Sequence, residues 1–200
     1  MKVEIRSDSV EIEGYVNAVG RESRPLRDSE GYFTEVVEPG AFARALQRGK
    51  RSMLLNHDAS RVIGTEGENL TLVEDNVGLF ARATVTDPEV VDKAKRGELR
   101  GWSFGFVPIR QRKADRDGMR LRTLEDIDLR EVSIIDSRMT PAYAATSVYT
   151  RSTDGEEVEF RAMDGETVET VEAKRDDGAQ NRSEIDYQPY FDRIKALKGE

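Results

Sequence analysis

Short segments in which apolar and polar residues alternate follow one another along the first three quarters of this sequence, and they limit its fold more than any other feature. In VEIEGYV (10–16), Val10, Ile12 and Gly14 share one face, and polar neighbours occupy most of the other. This period of two residues is typical of a half-buried β-strand. Similar segments are YFTEVV (32–37), SMLLNHD (52–58), the hairpin-like NLTLVEDNVGLFARATV (69–85), WSFGFVPI (102–109) and LRTLEDIDLREVSIID (121–136).

Two segments carry helix signals instead. In PGAFARALQRG, Phe42, Ala45 and Leu46 fall at helical spacing, and a glycine follows where a C-terminal cap belongs. In DPEVVDKAKRG, Asp87 can cap a helix that begins at Pro88 and ends at the next glycine. Because the strands mostly follow one another directly, we expect a mainly β fold with flanking helices (α+β). Its antiparallel sheet would be closed or nearly closed into a β-barrel, with the helices packed outside.

The chain divides by composition near residue 148. Residues 151–200 hold 14 acidic and 8 basic residues, and apolar residues become sparse there. We therefore expect a folded domain over residues 1–148 and an acidic, flexible C-terminal tail over residues 149–200. In the tail, DGEEVE (154–159) is echoed by DGETVE (164–169), as a small hairpin or a solvated linker. Its last segment, IDYQPYFDRIKALKG, is either a docking peptide or a frayed terminal helix.

Composition excludes several classes of function. The chain contains no cysteine and one histidine, so disulfides, thiolate zinc sites and sites with several histidine ligands are excluded. We expect no metal and no cofactor. No clustered basic block points to nucleic acid, and no apolar run is long enough to span a membrane or resembles a signal peptide. The sequence is therefore typical of a soluble cytoplasmic protein that binds neither nucleic acid nor membrane.

The single histidine, His57, follows an apolar strand, and the strongest candidate nucleophile is Ser103. This serine lies between Gly101 and Gly105 in RGWSFGFVP, where the missing side chains would let a substrate backbone approach. The aromatic residues of that strand should face the core, which points Ser103 away from it. A serine hydroxyl needs a base that accepts its proton, and His57 is the only imidazole.

A carboxylate that orients the histidine is the third expected member of such a site. Glu131 in LREVSIID shares a strand face with Leu129 and Ser133, so it can meet His57. Asp58, Asp126 and Asp128 are rivals. Asp58 ranks lower because adjacent residues in a strand point to opposite faces.

Taken together, these segments resemble the prohead proteases of tailed phages with HK97-like capsids. The resemblance covers about residues 10 to 148 and is carried by an ordered set of motifs: GYVNAVG, EVVEPGAFARAL, LLNHD, EDNVGLFARATV, GELRGWSFGF, LREVSIID and TPAYAATSV. It implies a fold like that of the herpesvirus assemblins, a β-barrel wrapped by helices. It also implies that His57 is the base and Ser103 the nucleophile, and the EVS motif supports Glu131 as the third member.

The resemblance further implies a serine endopeptidase that acts inside the assembling prohead in the host bacterial cytoplasm. Its substrates would be the scaffold protein or the scaffolding domain of the major capsid protein, together with the protease itself, and self-association stays open. By analogy with the viral relatives, the arginines of RQRK (110–113) are candidate oxyanion donors. The alternative from another class is a noncatalytic capsid-assembly protein that binds scaffold. An unrelated hydrolase is disfavoured because no G-x-S-x-G motif is present.

Overall fold

The computed structural model describes residues 1–138, 148–151, 157–162 and 167–173. Several predicted segments lie partly or wholly outside the described residues. They are most of TPAYAATSV (140–148), the first half of DGEEVE (154–159) and of DGETVE (164–169), and the whole of the C-terminal segment IDYQPYFDRIKALKG. No helix among those described is long and apolar enough to cross a membrane.

The described residues form two helices and thirteen strands. In chain order they are β1 (Lys2–Ile5), β2 (Val10–Ala18), β3 (Leu26–Asp28), β4 (Gly31–Val37), α1 (Ala41–Leu46), β5 (Ser52–Leu55), β6 (Asp58–Thr65), β7 (Leu70–Glu74), β8 (Gly78–Val85), α2 (Pro88–Lys95), β9 (Leu99–Arg116), β10 (Met119–Asp136), β11 (Val148–Arg151), β12 (Glu157–Ala162) and β13 (Glu169–Glu172).

These strands form two sheets. The first has the order β13-β1-β2-β8-β7, in which β13 is parallel to β1 and the other pairs are antiparallel. The second has the order β11-β12-β9-β10-β4-β3, with β5 added to β10 and β6 added to β5. One hydrophobic cluster takes side chains from both sheets and both helices, so the two sheets share a single core.

The long β9–β10 hairpin organises the second sheet. Each strand has 18 residues, and they turn at Asp117 and Gly118, whose φ angles of 55° and 79° suit a tight two-residue hairpin turn. Residues 112–120 (RKADRDGMR) are therefore the ends of these two strands and the turn between them. Near its other end the hairpin carries Ser103 directly opposite Ser133, and Glu131 opposite Gly105.

The predicted barrel is wrong, although the prediction of a mainly β fold with two helices is right. Both sheets are open and mixed, because the strands at their ends do not pair with each other. The cause is the length of β10, which takes two parallel partners along one edge: β4 at residues 120–124 and β5 at residues 131–134. The second sheet therefore branches at β10 and does not close on itself.

Both predicted helices are present. The Asp87 carboxylate caps α2 by accepting hydrogen bonds from the backbone N–H groups of Glu89 and Val90. At the other end, Gly97 takes a φ of 65°, and the N–H groups of Gly97 and Glu98 bond back to carbonyls of the last turn. At the start of the shorter α1, the Glu74 carboxylate of β7 accepts hydrogen bonds from the backbone N–H groups of Gly40, just before the helix, and Ala43.

The division into residues 1–148 and 149–200 stays a prediction. Three short strands, β11 to β13, lie at or beyond that boundary, and β12 and β13 pair with β9 and β1. The predicted core placement of the aromatic residues of β9 is confirmed, since Trp102, Phe104 and Phe106 are all buried.

Candidate active site

His57 lies in a two-residue turn that joins β5 to β6. Both turn residues, Asn56 and His57, have left-handed backbone conformations, with φ of 55° and 60°. The turn is fastened to β10: the Asn56 N–H donates to the Ile134 carbonyl at 2.9 Å, and the Asp136 N–H donates to Asn56 Oδ1 at 2.9 Å. These bonds fix the direction in which the imidazole leaves the backbone.

The structure brings His57, Ser103 and Glu131 together, as the sequence predicted. Nδ1 of His57 lies 2.7 Å from Glu131 Oε1, and Nε2 lies 2.8 Å from Ser103 Oγ. The carboxylate, the imidazole and the hydroxyl are therefore lined up at hydrogen-bonding distances. This is the order that base-assisted attack by a serine requires.

Two neighbours hold Glu131 in place. Ser133, which is fully buried, donates from Oγ to Glu131 Oε2 at 2.5 Å and accepts from the His57 backbone N–H at 3.2 Å. Gly105 provides the space, because a Cβ built there would lie only 2.7 Å from Glu131 Oε1. The carboxylate is thus fixed at both oxygens, one by the imidazole and one by Ser133.

The rival carboxylates are all engaged elsewhere. Asp58 accepts from the backbone N–H and the hydroxyl of Ser60. Asp126 pairs with Arg48 at 2.7 Å, and the nearest charged partner of Asp128 is Arg130 at 3.3 Å. His57 therefore has Glu131 as its carboxylate partner among the described residues.

Strand β12 lies against Ser103 and His57. It runs antiparallel to β9 with Ala162 opposite Ser103, and Ser103 Oγ donates to the Arg161 carbonyl at 2.7 Å. The Phe160 ring lies 4.2 Å from the imidazole of His57, centroid to centroid. With these neighbours in place, Ser103 is only 2% exposed.

A buried cluster of four charges fastens β12 to the sheet. Arg161 pairs with Glu35 of β4 at 2.8 Å and with Glu159 at 2.6 Å, while Arg122 of β10 pairs with Glu159 at 2.6 Å and with Glu35 at 3.1 Å. Each charge therefore has two partners of opposite sign, which offsets the cost of burying it.

The pKa shifts in this cluster keep it charged. Burial alone would raise the pKa of Glu159, but hydrogen bonds from Arg122 and the nearby positive charges outweigh it and lower that pKa. Burial alone would lower the pKa of Arg161, but the Glu35 and Glu159 carboxylates outweigh it and raise that pKa. The pKa of Arg122 is raised as well, against the effect of burial, by Glu159 and Glu35. Arg122, Glu159 and Arg161 therefore stay ionised at neutral pH.

The RQRK arginines do not reach the site. Residues 110–113 are exposed on the distal half of β9, seven or more positions from Ser103, which is roughly 20 Å or more at strand spacing. Among the residues that the structure describes, no three His, Asp or Glu side chains cluster so as to hold a metal ion.

Sequence reasoning missed the neighbours of the site that come from β12. Residues 158–161 alternate apolar and charged (VEFR), which is a strand signal, but the acidic composition around them favoured a tail. The contacts of Ser133 were also missed, although its position on the Glu131 face followed from the period of the strand.

Comparison with known proteins identifies a matching family. The model of the family described as Caudovirus prohead serine protease matches residues 1–161. No curated protein and no solved structure matches the chain.

Proposed function

Because the chain belongs to the caudovirus prohead serine protease family, we propose that it is an endopeptidase in which Ser103 is the nucleophile, His57 the base and Glu131 the residue that orients the base. The observation that carries this proposal is the line of polar contacts from Glu131 through His57 to Ser103, with distances of 2.7 and 2.8 Å. A capsid-binding protein without activity has no need of such an arrangement.

The proposed reaction is acyl transfer. Ser103 Oγ attacks the carbonyl carbon of the scissile peptide bond while Nε2 of His57 accepts the hydroxyl proton. The tetrahedral intermediate collapses when His57 gives that proton to the leaving amine, and the C–N bond breaks. Water then attacks the acyl-enzyme while His57 accepts its proton, and His57 gives that proton to Ser103 Oγ as the ester C–O bond breaks, which releases the acid product.

Glu131 supports both steps through His57. With its carboxylate 2.7 Å from Nδ1, the proton of the neutral imidazole is held on Nδ1 and Nε2 is left free to accept. When the imidazole becomes positive during attack, the same carboxylate stabilises it. Ser133 prevents the carboxylate from rotating away by holding its second oxygen.

We further propose that the substrates are the scaffold protein or the scaffolding domain of the major capsid protein, and the protease itself. Membership of a family of prohead serine proteases supports this proposal, and cleavage would then take place within the assembling prohead in the host cell. Confinement there raises the local concentration of enzyme and substrate. For self-cleavage, the acidic segment over residues 149–180 is the proposed target.

Coexpression with the capsid precursor tests this function. The intact mass of the precursor is measured after coexpression with the wild-type chain, Ser103→Ala, His57→Ala and the control Ser60→Ala, which removes an exposed hydroxyl near the histidine turn. We expect processing by the wild type and by the control, and intact precursor with the other two.

An intact precursor in all four samples, despite normal prohead assembly and incorporation of the chain, would contradict the protease assignment. It would favour the noncatalytic assembly role. A chain that keeps its full mass after complete capsid maturation would contradict self-cleavage alone.

A further inference from the structure

The nucleophile of the proposed protease is closed off from solvent by a strand of its own chain. Ser103 is only 2% exposed, and its hydroxyl is already bonded to the backbone of β12. We propose that β12 is an internal blocking strand that occupies the substrate position along β9, and that a substrate strand replaces it. This inference rests on the proposed function and assigns both the place where substrate binds and the way the site is kept inactive.

The direction and register of β12 are those of a bound peptide. Residues 159–162 pair antiparallel with residues 106–103 of β9, so an extended backbone runs past the nucleophile. Added strands of this kind are a common way for a protein to bind an extended peptide, because the main chain supplies the hydrogen bonds. While β12 is in place, no second peptide can pair with this stretch of β9.

The carbonyl beside Ser103 is held in an unreactive orientation. Attack requires the carbonyl carbon to face Oγ while its oxygen points at hydrogen-bond donors. Here the oxygen of Arg161 itself accepts from Ser103 Oγ at 2.7 Å. A serine hydroxyl has a single hydrogen, so while it donates to this carbonyl it cannot donate to Nε2 of His57. The resting contact therefore blocks both attack and proton transfer.

Phe160 covers the base in the same way. Its ring packs at 4.2 Å from the imidazole of His57. It also lies over Gly105, where an added Cβ would come within 2.8 Å of the ring. One short strand thus contacts the base through one side chain and the nucleophile through the next carbonyl.

The four charges that hold β12 on the sheet can be separated into two ion pairs, so β12 can dissociate without leaving a buried charge unpaired. Arg161 and Glu159 belong to the strand and pair with each other at 2.6 Å, while Glu35 and Arg122 belong to the sheet and pair at 3.1 Å. Separation would therefore leave a neutral pair on each side. A buried charge left without a partner would make release far more costly.

The rate at which Ser103 reacts with a small fluorophosphonate probe tests the proposal on the full-length chain. The variant Glu159→Gln/Arg161→Gln removes the ion pairs of β12 but leaves Glu35 and Arg122 paired. The labelling rate follows the fraction of molecules in the open state, so we expect it to rise by about 10-fold or more, with the adduct on the Ser103 peptide. The control Glu11→Gln/Arg82→Gln removes an ion pair between β2 and β8 of the other sheet and should label like the wild type.

Hydrogen exchange provides a second measurement in case the double variant does not fold. In the Ser103→Ala chain, capsid precursor should raise the exchange of the amides of residues 157–162 by about 10-fold or more, while those of residues 126–129 stay protected. Residues 157–162 that stay equally protected with precursor bound would overturn the proposal.

The two proposals fail in different ways. Equal labelling rates in the wild type and in Glu159→Gln/Arg161→Gln, together with normal precursor processing, would overturn the blocking strand and leave the protease standing. Absence of both labelling and processing in every variant would overturn the protease, and the blocking strand with it.

Discussion

At the scale of single residues, the site depends on a left-handed backbone conformation at Asn56 and His57, which residues other than glycine rarely adopt. A two-residue hairpin turn with positive φ at both positions favours asparagine first and glycine second. Here Asn56 is first and His57 second, with φ of 60°, which costs about 1–2 kcal/mol for a residue with a Cβ. The hydrogen bonds from the turn to β10 offset this strain and hold the imidazole over Ser103 and Glu131.

Ser133 is the positioning residue that the structure adds to the predicted set. Replacing it by alanine removes a bond to Glu131 and a bond to the His57 backbone. We expect Ser133→Ala to lower kcat about 10-fold, since a loosened carboxylate orients the imidazole less well, while KM stays nearly constant. Steady-state cleavage of the capsid precursor measures both parameters.

Ser52→Ala provides the matched control for that prediction, because Ser52 lies opposite Glu131 on the neighbouring strand β5. Equal kcat values for Ser133→Ala and Ser52→Ala would show that Ser133 does not position the carboxylate.

The sequence selected the three residues of the candidate site because each left a local signal: a lone histidine, a serine between glycines, and a glutamate on a strand face with Ser133. It did not predict the turn around His57, since SMLLNHD has the pattern of a strand running into a polar end. It also ranked Asp58 below Glu131 by the rule for adjacent strand residues. The structure reaches the same ranking through the bonds of Asp58 to Ser60.

At the scale of elements, the sequence predicted a helix or hairpin correctly where a capping residue or a turn marks its end. Both helices and the β7–β8 hairpin were predicted from such signals. The β9–β10 hairpin was divided into pieces because its distal half is exposed on β9 and rich in charge, so the alternation is lost while the strands continue. Strand β12 was missed for a related reason: it is short, lies in acidic sequence, and is held by ion pairs more than by apolar burial.

The cap of α2 gives an element-scale prediction. Asp87→Ala removes the acceptor for two backbone N–H groups at the start of the helix, and it also removes a partner of Arg61. We expect the free energy of unfolding to fall by about 1 kcal/mol, measured by urea denaturation. Asp87→Asn retains the oxygen that caps the helix, so its free energy of unfolding should fall clearly less than that of Asp87→Ala. Equal losses for the two variants would show that the cap is not the source of the stability.

At the scale of the whole molecule, the prediction of a barrel was wrong because neighbouring strands do not show that the sheets stay open. The pairings that keep the sheets open join β10 to β4 and β5, which are far from it in sequence, and they are parallel. A pattern of successive strands favours antiparallel neighbours and gives no sign that one strand of 18 residues has two partners on one edge. The number of strands follows from the local sequence. Whether a sheet closes into a barrel depends on which strands that are distant in sequence pair along its edges.

The stability of the fold in acid depends on Asp136, a carboxylate that is fully buried at the end of β10. Burial alone would raise the pKa of Asp136, but hydrogen bonds from Arg138, Asn56 and Lys93 outweigh it and hold that pKa well below its usual value. A carboxylate with a lowered folded-state pKa stabilises the fold fully above its unfolded pKa, about 4, and loses that contribution as pH falls toward the folded value.

We therefore expect unfolding on acidification below about pH 4 to depend on Asp136. In Asp136→Asn, the free energy of unfolding should be lower at pH 7 and should change less between pH 4 and pH 2.5 than in the wild type. Asp117→Asn, at the exposed tip of the β9–β10 hairpin, is the control and should follow the wild-type curve. If the free energy of unfolding changed equally with pH in Asp136→Asn and in the wild type, the acid dependence could not be due to Asp136.

The central claim is that Ser103 and His57 act as one catalytic unit, and a double-mutant cycle in kcat/KM for cleavage of the capsid precursor tests it most directly. We predict that Ser103→Ala and His57→Ala each lower kcat/KM by about 10⁴-fold or more, and that the double variant is no worse than the weaker single variant, because neither residue works without the other. Losses that multiply in the double variant, or a Ser103→Ala chain within about 10-fold of the wild type, would contradict it.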